Sequence, residues 1–301
     1  MRKKAHSILL FIILIAVSAH ADTITIDGAR RFYIIHLPAG FDIKKQSPVV
    51  LALHGGGGKA EGMNKLTGFN SVSDKYGFIV IYPDGLNKQW NDGRNDFHLN
   101  DKTDDVKFIS SLIDTLKLLY NIDSNRVYAT GISNGGIMSF RLGCELSDKI
   151  AAFAPVAASM PDNPSYKCKT TGHVPVMIIF GNEDPIVPFN GGDISIMGLS
   201  SRGKVIPVKE SVNFWVRNNG CAENPETSEI NNSDDNTKVI KNVYSSSAYN
   251  SDVVFLLVDG GGHTWPGGLQ YLPKLIIGRT SRDIDASEEI WKFFETKKLH
   301  S

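Results

Sequence analysis

Apolar residues fall along this chain in two rhythms. Short continuous blocks, VVLALHG, GFIVIYPDG, RVYATG, IAAFAPVAA, VPVMIIFG and DVVFLLVDGGG, have the form of strands buried on both faces of a parallel sheet. Between them the apolar positions recur every three or four residues. In DDVKFISSLIDTLKLLY, Val106, Ile109, Leu112, Ile113, Leu116 and Leu119 share one helical face, and Asp104 and Asp105 suit the positive end of the helix dipole. SVNFWVRNNG predicts a helix stopped at Gly220, and ASEEIWKFF a last amphipathic helix. Near the start, TITIDGARRFYIIHLP holds two short β-prone runs around Asp27-Gly28, which predicts an antiparallel hairpin at a sheet edge. The polar stretch NNSDDNT reads as a surface loop. This succession predicts an α/β fold: a mostly parallel central sheet, helices on both faces and an N-terminal antiparallel hairpin.

The first residues depart from that pattern. Basic MRKKAHS precedes a wholly apolar run from Ile8 to Val17, too short to cross a bilayer, and Ala19 and Ala21 follow in an A-x-A arrangement. Residues 1–21 therefore read as a secretory signal peptide cut after Ala21, which predicts export to the periplasm or the medium and no membrane association afterwards. Asp22, at the new terminus, offers no cysteine for a lipid. Residues 22–301 show no repeat, no linker and no composition break, so they are expected to form a single catalytic domain without an appended binding domain. In them 29 basic residues stand against 32 acidic ones, a net charge of −3. Such a balance, with no basic run, carries no footprint for nucleic acid and favours small or neutral partners. Of the three cysteines, Cys144 and Cys168 flank one predicted strand, and a disulfide between them would contribute ~3 kcal/mol. Cys221 is the odd one; its pairing with Cys168 is the alternative.

ATGISNGGIM carries the candidate chemistry. The string G-x-S-x-G is weak by itself, but here it follows the strand RVYAT and opens a helical stretch, the strand–turn–helix setting of a nucleophile elbow at Ser133. Gly131 and Gly135 fit a strained turn where backbones come close. Serine needs a base oriented by an acid, and in this setting both lie after later strands in the order Ser, acid, His. Asp184 in NEDP follows VPVMIIFG, and His263 follows DVVFLLVDGGG. Glu183 is a weaker substitute for Asp184, whose bland reading is a turn former before Pro185. HGGGG after VVLAL supplies backbone donors for an oxyanion: the N–H of Asn134 with that of Gly56, or of Gly55, each such donor being worth ~3 kcal/mol. A phosphate loop is the rival reading, but no G-K-[ST] follows. His54 reads as a structural residue beneath the loop.

GISNGGIM, LALHGGGG, YPDGLNKQWNDGR, FGNEDPIVPFNGG and GGGHTWPGG together resemble the secreted esterase–depolymerase family, which groups polyhydroxybutyrate depolymerase-like proteins with the feruloyl and acetyl-xylan esterases of carbohydrate esterase family 1. The likeness runs from about Arg31 to about Phe294, and the last three motifs carry most of its specificity. It implies an α/β-hydrolase fold, no metal or organic cofactor, and Ser133, Asp184 and His263 as a triad. Members often pair the cysteine of the N-G-C position with a further one near the stretch that here reads YSSSAYNS, so Cys221 is expected to lack that partner.

Substrate preference is carried by fewer residues. Trp90 and Trp265 form an aromatic wall for a sugar ring or phenolic acid, or merely pack their own loops. Arg94 fixes a carboxylate, or pairs with Asp92 or Asp96. NGGDISIMGLSSRGKVIP, after Asp184, shapes the rim. The expected activity is ester hydrolysis on feruloylated or acetylated plant polysaccharide, with a polyester depolymerase or hydroxyalkanoate oligomer esterase as the alternative. Acyl transfer, peptidase chemistry and a non-catalytic binding module stand further back.

Overall fold

The computed structural model describes residues 20–94, 103–163, 167–247 and 250–299; residues 1–19, most of the expected leader, and Asp96, His98 and His300 lie outside them. In chain order the strands are β1 (His20–Ile26), β2 (Ala29–His36), β3 (Ser47–Leu53), β4 (Ile79–Pro83), β5 (Ile122–Ile132), β6 (Ala152–Val156), β7 (Val176–Gly181), β8 (Gly192–Asp193), β9 (Lys204–Val205), β10 (Glu226–Ile230), β11 (Lys238–Tyr244) and β12 (Val253–Asp259). The helices are α1 (Ala60–Thr67), α2 (Phe69–Tyr76), α3 (Asp105–Tyr120), α4 (Asn134–Glu145), α5 (Val208–Asn218), α6 (Lys274–Ile277) and α7 (Ala286–Phe294).

Ten strands form one sheet in the order β1-β2-β4-β3-β5-β6-β7-β12-β11-β10. The six from β4 to β12 run parallel, and an antiparallel hairpin closes each edge. The fully apolar blocks are the central strands because both of their faces are covered. Val49, Leu51 and Leu53 join the core under α3, α4 and α5. Val50 and Ala52, pointing the other way, join a second core with α1, α2 and α7. The β1–β2 hairpin turns at Asp27-Gly28, both with positive φ, as the Asp-Gly signal implies.

Several elements differ from the pattern-based expectation. β10 and β11 escape it because they lie at the far edge, β10 largely exposed and β11 half-buried, with no alternation of buried and exposed positions. NNSDDNT is the turn between them. α1 and α2, each eight residues long, are too short for a clear periodicity. In α3 the buried face includes Phe108, while Leu119 is 49% exposed. Only Asp104 caps that helix, accepting from the Lys107 N–H. Asp105 is buried instead and pairs at 2.6 Å with Arg31 of β2, whose guanidinium also lies over the Phe108 ring. A disulfide joins Cys144 of α4 to Cys168. Cys221 is a free, half-buried thiol directed at the Ser251 carbonyl, and burial raises its pKa, which disfavours the reactive thiolate.

Candidate active site

Because β3, β5, β7 and β12 all run the same way, the segments that leave them emerge at one edge of the sheet. Open parallel sheets place their chemistry there. Ser133 directly follows β5, with φ 58°, a conformation that costs a non-glycine residue energy and persists only where its surroundings enforce it. Those surroundings are backbone. The Ser133 N–H donates to the Val156 carbonyl at 2.9 Å, and a Cβ at Gly135 would fall onto the carbonyl oxygens of Leu53 and His54. One at Gly131 would meet the Gly135 carbonyl at 2.5 Å, so the elbow can close on β3 only with glycine at both positions.

The candidate acid and base follow neighbouring strands. Asp184 follows β7 and His263 follows β12, and the Asp184 carboxylate accepts from His263 Nδ1 at 2.7 Å. Its other oxygen accepts from the backbone N–H groups of Ile186 and Val187, both at 2.8 Å. The carboxylate is thus held in place by donors on either side. Glu183 turns outward to pair with Arg279. The His263 backbone is also held: its backbone N–H donates to the Ile277 carbonyl, and the Tyr271 hydroxyl donates to the His263 carbonyl at 2.9 Å. With Nδ1 bound to a carboxylate, Nε2 is the nitrogen left to exchange a proton.

Ser133 and His263 line one cavity of about 470 Å³, together with Gly55, Gly56 and Asn134. In the glycine loop after β3, Gly57 and Gly58 spend their N–H groups on the Lys88 and Gly55 carbonyls. Gly55 and Gly56 are therefore the glycines placed to turn a donor on the cavity, Gly56 beneath the Gln89 amide. The Asn134 side chain is fully engaged, accepting from the Trp90 N–H and donating to the Trp90 carbonyl and Asp92. Its backbone N–H, in the first turn of α4, has no intrahelical acceptor and carries the positive end of the helix dipole. His54 lies underneath: Nδ1 donates to the Gly55 carbonyl while Nε2 accepts from the Gly85 N–H, and burial lowers its pKa. A neutral imidazole bonded at both nitrogens supports the loop and has no proton to exchange.

Of the two readings of Trp90 and Trp265, the described residues favour loop packing over an aromatic wall. Trp90 is fully buried, its indole N–H donating to the His54 carbonyl, because it packs the glycine loop from below. Trp265 is equally buried, against Phe69, with its N–H on Ser287. Neither belongs to the cavity lining among the described residues. Aliphatic side chains form the wall, among them Met63, Ile186, Ile194 and Ile277. Arg94 does line the cavity, but its guanidinium is tied to Asp92 and to the Arg202 carbonyl. Arg202, Tyr271 and Gln89 also line the cavity; Gln89 lies in the quoted stretch YPDGLNKQWNDGR and Arg202 in the glycine-rich segment after Asp184, while Tyr271 belongs to no motif.

A model of the phospholipase/carboxylesterase family matches residues 41–204. The putative esterase NocK of Nocardia uniformis subsp. tsuyamanensis is 31% identical over 276 residues, which are 89% of this chain and 80% of that protein. The chain belongs to the phospholipase/carboxylesterase family. It is a carboxylic ester hydrolase of the α/β-hydrolase type. Feruloyl esterase B of Piromyces equi is 28% identical over 242 residues, 77% of this chain, and this carboxylesterase spans 42% of that protein's length. Among solved structures, acetyl xylan esterase from Aspergillus awamori superposes with a TM-score of 0.63 at 15% identity, covering 92% of this chain and 99% of its own, a likeness of fold. The resemblance drawn from the motifs is thus met by the family match and by relatives named as feruloyl and acetylxylan esterases. No helix among the described residues is long and apolar enough to cross a membrane.

Proposed function

We propose that the protein is an exported serine esterase, formed by residues 22–301 as one catalytic domain, that releases phenolic or other bulky acyl groups from esters through a covalent acyl-enzyme. The hydrogen bond between His263 and Asp184, with His263 and a strained Ser133 lining one cavity, is the observation that carries the reading. His263 Nε2 takes the Ser133 proton as Oγ attacks the ester carbonyl, and Asp184 stabilises the imidazolium. The carbonyl oxygen, now negative, is met by the backbone N–H groups of Asn134 and Gly56, with Gly55 the alternative to Gly56. On collapse the imidazolium protonates the leaving alcohol, and water then cleaves the acyl-enzyme by the same steps reversed. No step calls for a metal or an organic cofactor.

Size and lining favour the feruloyl branch over the acetyl one. An acetyl group would leave most of a 470 Å³ cavity unfilled, whereas a phenylpropenoyl group can cover its aliphatic wall. One observation favours a second reading, hydrolysis of a polyester or its oligomers: Met197, Leu199 and Leu275 are 70%, 83% and 92% exposed on segments that border the cavity. Purified protein given methyl ferulate, an acetylated xylan and hydroxybutyrate oligomers decides between them. Fastest release of ferulate, lost in Ser133→Ala, is the expected result; faster release of hydroxybutyrate would replace the first reading by the second.

A further inference from the structure

The near-neutral charge of the chain conceals a local imbalance. Lys59, Arg94 and Arg202 line the cavity, and among the described residues no aspartate or glutamate does. Arg94 is cancelled, since it is 6% exposed and bound to the fully buried Asp92 at 2.8 Å. Lys59 and Arg202 are not: no carboxylate among the described residues comes within 4 Å of either. A cleft with low-dielectric walls focuses such a field on what enters it.

Arg202 is moreover held in position. Asn134, next to the nucleophile, donates to Asp92 at 2.6 Å, Asp92 binds Arg94, and Arg94 Nη1 donates to the Arg202 carbonyl at 2.6 Å. The Arg202 N–H closes the base of its own loop on the Ile194 carbonyl at 2.8 Å. A relay of buried charge thus runs from the elbow to the backbone of one arginine on the wall. It leaves that guanidinium, with its planar fork of donors, unspent. Arg202 is only partly buried and Lys59 is exposed, so both can reach an anionic group on a molecule that enters.

We propose that Arg202, assisted by Lys59, is a specificity residue that binds a carboxylate on the substrate, so that the preferred substrate is an anionic ester. The inference rests on the reading of Ser133 as nucleophile. The carboxylate can come from the acyl side, as in a dicarboxylic half-ester, or from the alcohol side, as in an ester of a hydroxy acid such as a sugar acid.

Two matched pairs of model esters separate those sources. Mono-4-nitrophenyl glutarate against 4-nitrophenyl pentanoate places the charge on the acyl group, and 4-acetoxybenzoate against 4-acetoxybenzamide places it on the alcohol. For each pair the quantity read is the ratio of kcat/KM, anionic over neutral, in wild type, Arg202→Lys, Arg202→Gln and Arg202→Glu; intrinsic reactivity cancels between variants. In one pair the ratio is expected to fall about tenfold in Arg202→Gln and further in Arg202→Glu, and to be partly kept in Arg202→Lys. The wild-type ratio should also shrink as salt is raised to about 0.5 M. A ratio unchanged within about twofold in both pairs across wild type and Arg202→Glu overturns the proposal. Should the variants fail to fold, inhibition of the wild type by 4-hydroxybenzoate and by glutarate, each against its neutral amide, decides instead; carboxylates no stronger than amides overturn it as well. Hydrolysis of the neutral esters that survives Ser133→Ala would sink the underlying reading, whereas Ser133-dependent hydrolysis with an unmoved ratio sinks the Arg202 assignment alone.

Discussion

The elbow around Ser133 and the arm between Gly192 and Val205 border the same cavity and are held in contrary ways. In the elbow, backbone meets backbone: Gly131, Gly135 and Gly136 have no room for a methyl group, and the serine N–H is bound across to β6. In the arm, hydrogen bonds gather at the base, where Ile194 donates to the Gly203 carbonyl and accepts from the Arg202 N–H, while Ile196, Met197 and Leu199 at the tip are exposed. A reacting atom must be held to a fraction of an ångström, and packed glycines do that. A rim that meets varied substrates needs surface and can tolerate change. Chemistry and selectivity are thus assigned to different parts of one cavity, and the two parts should respond differently to substitution.

The largest effect is expected in the elbow. Ser133→Ala should lower ester turnover by ~10⁴ or more with an unchanged melting temperature, and retained turnover in purified protein would break the assignment. Asp184→Asn should lower kcat by about 10³–10⁴, because an amide at this position can present its NH₂ to Nδ1 and favour the wrong tautomer; a loss below tenfold would show that the carboxylate does not orient His263. Gly135→Ala should reduce the unfolding free energy by about 2–3 kcal/mol in a denaturant titration and depress activity in parallel, since its methyl group meets the Leu53 and His54 carbonyls. A stable, active variant would mean that the elbow is looser than its packing implies.

A smaller effect concerns pH. Burial lowers the pKa of His54 below its ordinary value of 6.5, so below that pH the unfolded chain takes up a proton that the folded chain refuses. Stability is then lost as pH falls from 6.5 toward the lowered value, with a slope of up to about 1.4 kcal/mol per pH unit. His54→Gln keeps an acceptor for the Gly85 N–H and removes the titration, so its stability should fall less steeply than wild type over that range. Parallel curves would remove the linkage. The smallest effect belongs to the arm tip: Leu199→Ser should change stability by less than about 0.5 kcal/mol and raise KM for an apolar ester only a few-fold.

How much of this could be read in advance follows the same division. That Ser133 and His263 would share a cavity and His263 meet Asp184 could be read in advance because each lies one to four residues past a buried apolar block, and parallel blocks release their loops at one edge. The disulfide between Cys144 and Cys168 was legible for a similar reason, the two flanking one predicted strand. Trp90 and Trp265 misled: position in a loop beside the site does not tell whether an indole faces substrate or fills space beneath a glycine loop. Asp105 misled likewise, since a carboxylate in a helix's first turn reads as a dipole partner until Arg31, 74 residues earlier, is seen to reach it. Arg202 was marked only by the glycine-rich segment that holds it, and Tyr271 had no local signature at all. Their roles come from what lies across a cavity.

The mostly parallel sheet, the strained serine turn and the loops that carry Asp184 and His263 follow from adjacent residues, through apolar periodicity and backbone sterics, and the chain alone determined them. Which nitrogen of His263 meets Asp184, which tryptophans are buried and which arginine stays without a counter-charge depend on contacts between segments distant along the chain. The tertiary structure decided these, because desolvation and charge pairing act through space and leave no trace in local pattern.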